Sequence, residues 1–379
     1  MFFNLNKKRV NKRYVPKLRF KGFEGEYSFE ILDKYLEYEQ PTKYLILKNE
    51  NINEIGNVPV LTANKSFILG YVENELNNCY KKGECFIFDD FTTDIKYVNF
   101  LFKLRSSAAK IITTKNDNYI NYFFYLLKSK KPETLGHKRH WIEITSKEKR
   151  FIPPTLKEQE KISIFLSLLD KQISLLENKL KLTELKMKDF IKKSNVESSK
   201  LMIKDIAIVI DGFPFKQTSY VENGIPIYTI SNIGDNKFID TIEYKYTNIE
   251  IDSKYQLNKG DIFASLTGEK GFKSLLYQNE NKNYINQRTI KIEIKNNYSP
   301  ELLQFWCFKN KRKVSLLATG SQKNISKKDV ENFLVPKCTK ENINLSKIFF
   351  NYIENVQLIQ NKLHMLNKRK KFYLNNLFI

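Results

Sequence analysis

The sequence predicts a mixed α/β protein of the α+β kind, built as two strand-rich domains, each followed by a long helix, with the two helices packed on each other. Three observations predict it. An apolar seam with alternating four- and three-residue spacing runs from Ile162 to Phe190. The same seam returns 183 positions later, from Leu345 to Tyr373. Each seam follows a region of short apolar segments separated by turn residues.

The first seam consists of Ile162, Leu166, Leu169, Ile173, Leu176, Leu180, Met187 and Phe190, with Thr183 as its polar interruption. An average spacing of three and a half residues keeps one stripe of a helix against a partner helix along its whole length. The helix has a defined start: Phe151-Ile152-Pro153-Pro154 is extended, and Thr155 stands three residues before Glu158, the spacing of a capping box. Leu345, Phe349, Tyr352, Val356, Ile359, Leu363, Leu366 and Tyr373 repeat the pattern, with Lys370 in the place of Met187. The copies share flanking residues as well, Pro153 with Pro336 and Lys157-Glu158 with Lys340-Glu341. Two helices of equal plan, each with a stripe that would otherwise face water, are each other's natural partners.

In chain order, residues 1–26 form a basic arm, with eight Lys and Arg and no acid before Glu24. Residues 27–152 form the first strand-rich domain. Val58–Thr62, Glu84–Phe88 and Tyr97–Leu104 read as strands and Tyr119–Lys128 as a helix. Residues 153–193 carry the first seam, and 194–200 are a polar linker. Residues 201–336 form the second domain, with strands at Leu201–Ile210, Ile225–Ile230, Asp261–Leu266 and Tyr284–Ile294. Its helix, Pro300–Lys311, opens with Ser299 and Pro300. Residues 337–379 carry the second seam.

The formal charge is +22, from 64 Lys and Arg against 42 Asp and Glu. An imbalance of that size points to a polyanionic partner, nucleic acid first. No apolar run approaches a membrane span and the N-terminus lacks the apolar core of a signal peptide, so a soluble cytoplasmic protein is expected. Cys79, Cys85, Cys307 and Cys338 have neither C-x-x-C spacing nor a disulfide pattern, and His137 and His140 lack a second ligand pair, so no metal is expected.

Along nearly its whole length the sequence resembles the specificity subunit of type I restriction-modification systems. In the first half the resemblance is carried by Val15-Pro16-Lys17-Leu18-Arg19-Phe20, Gly22-Phe23, Leu61-Thr62-Ala63-Asn64-Lys65, Phe88-Asp89-Asp90-Phe91-Thr92, and Pro153-Pro154 with Glu158-Gln159 and Ile162. In the second half Gly224-Ile225-Pro226, Lys259-Gly260-Asp261-Ile262, Ile285-Asn286-Gln287-Arg288 and Gly320-Ser321-Gln322-Lys323-Asn324-Ile325 carry it. Glu158-Gln159 of the first copy stands as Glu341-Asn342 in the second. The resemblance implies that 27–152 and 201–336 are target-recognition domains and that the helices pair as an antiparallel coiled coil. It also implies that the chain reads a bipartite double-stranded DNA site, docks two DNA methyltransferase subunits, and meets restriction motor subunits through the complex. The helices would then set the spacer between half-sites, and four residues added to the 194–200 linker would lengthen it by about one base pair.

Catalytic signatures are missing. There is no Asn/Asp-Pro-Pro-aromatic tetrapeptide or phosphate-binding Gly-x-x-x-x-Gly-Lys-Ser/Thr loop, and Asp89, Asp90, Asp94 and Lys96 are the nearest approach to a nuclease cluster. The chain is expected to read DNA without catalysis and without a cofactor. Candidate contacts are polar or basic residues near turn signals: Asn64, Lys65, Lys96, Arg105, Lys138, Arg139 and His140 in the first domain, and Lys216, Asn232, Lys270, Gln287, Arg288, Gln322, Lys323 and Asn324 in the second. Two other readings stand beside this one: the specificity subunit of a type II fused restriction-methylation enzyme, and a coiled-coil nucleic-acid-binding adaptor without sequence preference.

Overall fold

The structure, a computed structural model, describes residues 3–5, 14–47, 50–62, 66–73, 78–134, 139–196, 201–233, 244–266, 272–295, 297–317 and 324–379. It divides into two compact units, Met1–Leu176 with Lys362–Ile379, and Glu177–Asn361.

In unit one a four-stranded antiparallel sheet runs in the order Leu36–Glu39, Ala109–Thr114, Cys85–Asp89, Ile95–Val98. Strand Cys85–Asp89 is buried at every position because both faces of the sheet are covered. Its side chains alternate. Phe86 and Phe88 pack with Trp141 and the helix Ile120–Ser129, whereas Cys85 and Ile87 pack with Tyr44, Tyr80 and Phe102. A smaller sheet, Ile68–Val72, Val58–Leu61, Lys103–Leu104, stands beside it, and Ser28–Ile31 pairs with Lys149–Ile152.

Unit two repeats this plan strand for strand. Its sheets are ordered Ala207–Asp211, Thr289–Ile294, Ile262–Ser265, Ser274–Leu276 and Lys245–Thr247, Ile225–Tyr228, Tyr284–Ile285, and Leu201–Met202 pairs with Leu334–Val335. Helix Pro300–Lys309 takes the place of Ile120–Ser129, and the Ser299 hydroxyl accepts from the Leu302 amide at 3.1 Å, as its start requires.

Three expected strands are each divided. Tyr97–Leu104 becomes Ile95–Val98 in the large sheet and Lys103–Leu104 in the small one, and Tyr284–Ile294 is likewise parted between sheets by the turn 286–288. Leu201–Ile210 is interrupted by one helical turn, Ile203–Ile206. Local propensity marks such segments as extended, but the partner sheet is chosen by non-local pairing.

The long helices are Leu156–Lys193 and Lys340–Leu377, 38 residues each, or about 57 Å at 1.5 Å per residue. Every seam position of both is buried or half-buried, while the positions between them are mostly exposed. In unit one Phe165 meets Tyr373 edge to face at 4.7 Å, and in unit two Phe190 meets Tyr352 at 5.8 Å. Within unit one partner numbers fall as the first helix rises, Phe165 with Tyr373 and Asp170 with Lys370, so the pairing there is antiparallel. Lys370, the polar exception in the second seam, forms an ion pair with Asp170, which also accepts from the Tyr125 hydroxyl at 2.9 Å. Met187 and Ile353, their counterparts under the 183-residue repeat, lie together in the apolar core of unit two.

Half of the expected capping box forms. Thr155 Oγ1 accepts from the Glu158 amide at 3.3 Å, but the Glu158 carboxylate turns away to Arg19. Arg19 Nε and Nη2 donate to its two oxygens at 2.8 and 2.7 Å, and the Tyr27 hydroxyl donates at 2.9 Å. Arg19 also donates to the carbonyls of Gly25 and Glu24. The basic arm is thus not wholly a solvated tail: Leu18–Phe20 is a buried strand paired with Phe3–Leu5. At the other end of the chain, Leu377 and Phe378 are buried in the core of unit one, where Phe378 lies 5.6 Å from the Tyr122 ring.

Candidate nucleic-acid interface

In each unit several loops converge on the turn that leads into the central strand of the large sheet. Unit one builds this hub on residues 105–108. The Arg105 amide donates to the Leu61 carbonyl at 3.2 Å, and the Ala108 carbonyl accepts from the Asp90 amide at 3.2 Å. Asp90 fixes a third segment, since its carbonyl accepts from His140 Nδ1 and its Oδ1 from the Trp141 amide at 2.9 Å. Its second oxygen pairs with Lys110 Nζ at 2.8 Å, both side chains being buried.

Exposed Arg105 and Arg139 are thereby brought to one place, together with the loop Asp90–Thr93 and the chain leaving Leu61. Asn64, Lys65 and Lys138 lie outside the described residues. His140 is a correction: its side chain is fully buried and held by the Asp90 carbonyl, so it anchors the loop from inside. Lys96 is half-buried on the edge strand, opposite Ile87.

Unit two builds the same hub on 286–288. The Asn286 amide donates to the Tyr228 carbonyl at 3.1 Å, Phe213 to Ile285 at 2.8 Å, Leu266 to Arg288 at 3.1 Å, and Ile325 to Leu266 at 2.7 Å. Gly212 is required here, because a Cβ would stand 2.0 Å from the Asn286 carbonyl oxygen. Gln287, Arg288 and Asn324 are exposed on this hub, and Lys216 on the loop that follows Gly212. Lys270, Gln322 and Lys323 lie outside the described residues. Asn232 is the second correction: buried, it accepts from the amide and hydroxyl of Thr229 at 2.9 and 3.0 Å and closes a turn.

Other motif residues hold the scaffold. Asp261 accepts from the Asn258 amide at 2.7 Å beside Gly260, whose φ is +98°. Burial pushes its carboxyl up to about 6, against the opposing pull of the Asn258 amide and Lys291. The acids expected to come nearest to a metal cluster are also engaged: Asp89 caps its own loop, Asp90 pairs with Lys110, and Asp94 with Lys131 at 2.6 Å.

The arrangement offers bidentate and amide-bearing side chains on rigid turns, the chemistry that reads base edges and grips phosphates. No family model matches the chain. Over 147 residues it is 44% identical to the specificity subunit of the Escherichia coli type I restriction enzyme EcoR124I/EcoR124II, a match covering 37% of this chain and 35% of that relative. The chain thus spans about a third of the length of the curated relative it matches. The crystal structure of the type I restriction-modification system S subunit from M. genitalium superposes with a TM-score of 0.72 at 14% identity, covering 96% of this chain and 99% of that one. The fold is that of a type I S subunit. The HsdS subunit from Thermoanaerobacter tengcongensis is also similar, at 14% identity and a TM-score of 0.40 over 94% of this chain and 97% of that one.

The S-subunit fold makes the two hubs equivalent in plan, Arg105 and Asn286 occupying matched hydrogen-bonding positions within their own units. Sequence reasoning missed Phe91. It is 55% exposed on the loop beside Arg105, and an apolar residue carries no charge signal. The pattern Asp-Asp-Phe-Thr-Thr, an acid able to cap its own turn, was the available clue.

Proposed function

We propose that this chain is the sequence-specificity subunit of a type I restriction-modification complex, which reads a bipartite DNA site without catalysing a reaction itself. The observation that carries the reading is one loop hub built twice on one scaffold, with different exposed side chains. Arg105 and Arg139 crown the first hub, and Gln287, Arg288 and Asn324 the second. A scaffold kept constant while its reading residues differ suits two half-sites of different sequence, and the net charge of +22 supplies the non-specific attraction to duplex DNA.

The long helices support the partner reading. Leu175 and Leu182 are exposed on the first, and Leu358 and Met365, their counterparts under the 183-residue repeat, on the second. Exposed apolar pairs seven residues apart on a helix fit a helical partner. Two equivalent pairs suit two copies of it, the methyltransferase subunits, through which restriction motor subunits join.

The spacer would follow the length of the helices, but lengthening it requires matched turns inside both. The linker itself is non-helical at 194–196: Lys309 Nζ caps the first helix at the Ile191 carbonyl, 2.6 Å away, and Val196 is buried in unit two. Residues added after Lys193 would not advance the helix.

Exchange of residues 28–152 for another recognition domain, with Tyr27 kept as the Glu158 partner, tests the reading. Methylation mapping is expected to show one half-site replaced and the other unchanged. Loss or alteration of both half-sites would contradict it.

A further inference from the structure

We propose that Phe91 is the apolar base contact of unit one, held out toward the DNA by a loop built for that purpose. The inference rests on the DNA-reading function proposed above. Phe91 is 55% exposed, yet the residues around it are held by a network of hydrogen bonds. Asp89 Oδ1 accepts from the amides of Phe91 and Thr92 at 3.0 and 2.8 Å and from the Thr92 hydroxyl at 3.1 Å. The Asp89 amide donates to the Asp94 carbonyl, and the Thr93 amide to the Asp89 carbonyl, both at 2.9 Å.

Asp90 points inward to Lys110 and the Trp141 amide. Thr93 is buried with φ at +56°, a conformation costly for a β-branched residue, and its hydroxyl donates to the Pro132 carbonyl at 2.9 Å. Such strain is kept where the surroundings over-determine it, commonly at binding sites. Every polar group named here serves to fix the backbone under one unburied aromatic ring.

The charge of the segments to which the loop is tied points to its partner. The Asp90 amide and carbonyl tie the loop to the turn that bears exposed Arg105 and to the segment that bears exposed Arg139. A surface with that charge favours DNA over an apolar protein patch. Within duplex DNA, the apolar group by which such a ring tells one sequence from another is the thymine methyl in the major groove. A rigid mount matters there, because a mobile ring would lose in ordering what the contact gains.

The test uses the full chain in complex with its methyltransferase partner and compares wild type, Phe91→Ala and Phe91→Leu on duplexes with and without the recognised site. Phe91→Ala is expected to weaken site-specific binding roughly 10- to 100-fold, as loss of one base contact does, and to relax preference in a single half-site. Phe91→Leu should keep most of the affinity. Binding to DNA without the site, its salt dependence and the melting temperature should be unchanged in both variants. Unaltered site-specific affinity in Phe91→Ala, or an equal loss on both kinds of DNA, would overturn the proposal. If wild type itself shows no preference between the duplexes, the DNA-reading function fails with it, an outcome distinct from a neutral Phe91→Ala.

Discussion

Affinity for duplex DNA is expected to fall on the order of a thousandfold or more between about 50 and 200 mM salt, as six or more phosphate contacts would require. The physical cause is counterion release: each neutralised phosphate contributes about 0.9 to the slope of log affinity against log salt. The chain carries 22 more cationic than anionic side chains. Its visible exposed cations include Arg105 and Arg139 on one hub and Lys216 and Arg288 at the other. Neutralising Arg139 by Arg139→Gln should lower the slope by about one if it grips a phosphate, and should leave the slope in place while changing base preference if it reads a base edge. Fluorescence anisotropy across the salt range separates these outcomes. A flat affinity over that range would remove nucleic acid as the partner.

Replacement of Arg19 by Ala is expected to destabilise unit one by about 3–5 kcal/mol, the usual cost of leaving one member of a buried ion pair alone. Arg19 and Glu158 have side-chain exposures of 7% and 1%, and the carboxylate accepts from the guanidinium twice and from the Tyr27 hydroxyl once. Removing the cation leaves a charge desolvated at the first turn of the long helix. Glu158→Gln should be milder than Arg19→Ala, because the amide still accepts from Tyr27. An exposed pair such as Lys34 with Glu30, at 59% and 32% exposure, should show no measurable change on removal. Denaturant melts of the three variants test the contrast, and equal midpoints for Arg19→Ala and wild type would show that the bridge does not hold the helix to the arm.

How much of this was legible in the sequence depended on whether the decisive interactions were local. The helical seam was readable residue by residue, because a period of three and a half needs only the chain's own spacing, and even Lys370 sits on it, neutralised by Asp170. The strand-rich character of both domains was readable too. Which sheet each strand joins was not, since Lys103–Leu104 and Ile95–Val98 follow one another yet pair with different partners.

At the candidate site, exposed polar residues beside turns were found where expected, as Arg105, Arg139, Gln287 and Arg288 show. His140 and Asn232 have the same chemistry but spend it on groups within their own units, a choice made by burial. Arg19 stands in a run of basic residues, and its bridge is not legible there because its partner, Glu158, lies 139 residues away. Phe91 escaped because its importance comes from exposure, which a sequence does not print.

Selection from a pool of randomised duplex DNA, using the full chain together with the methyltransferase subunit proposed as its partner, tests the central claim most directly. Two short sequence blocks at one fixed separation are the predicted result. Enrichment of DNA without any shared sequence, or of a single block alone, would contradict the account.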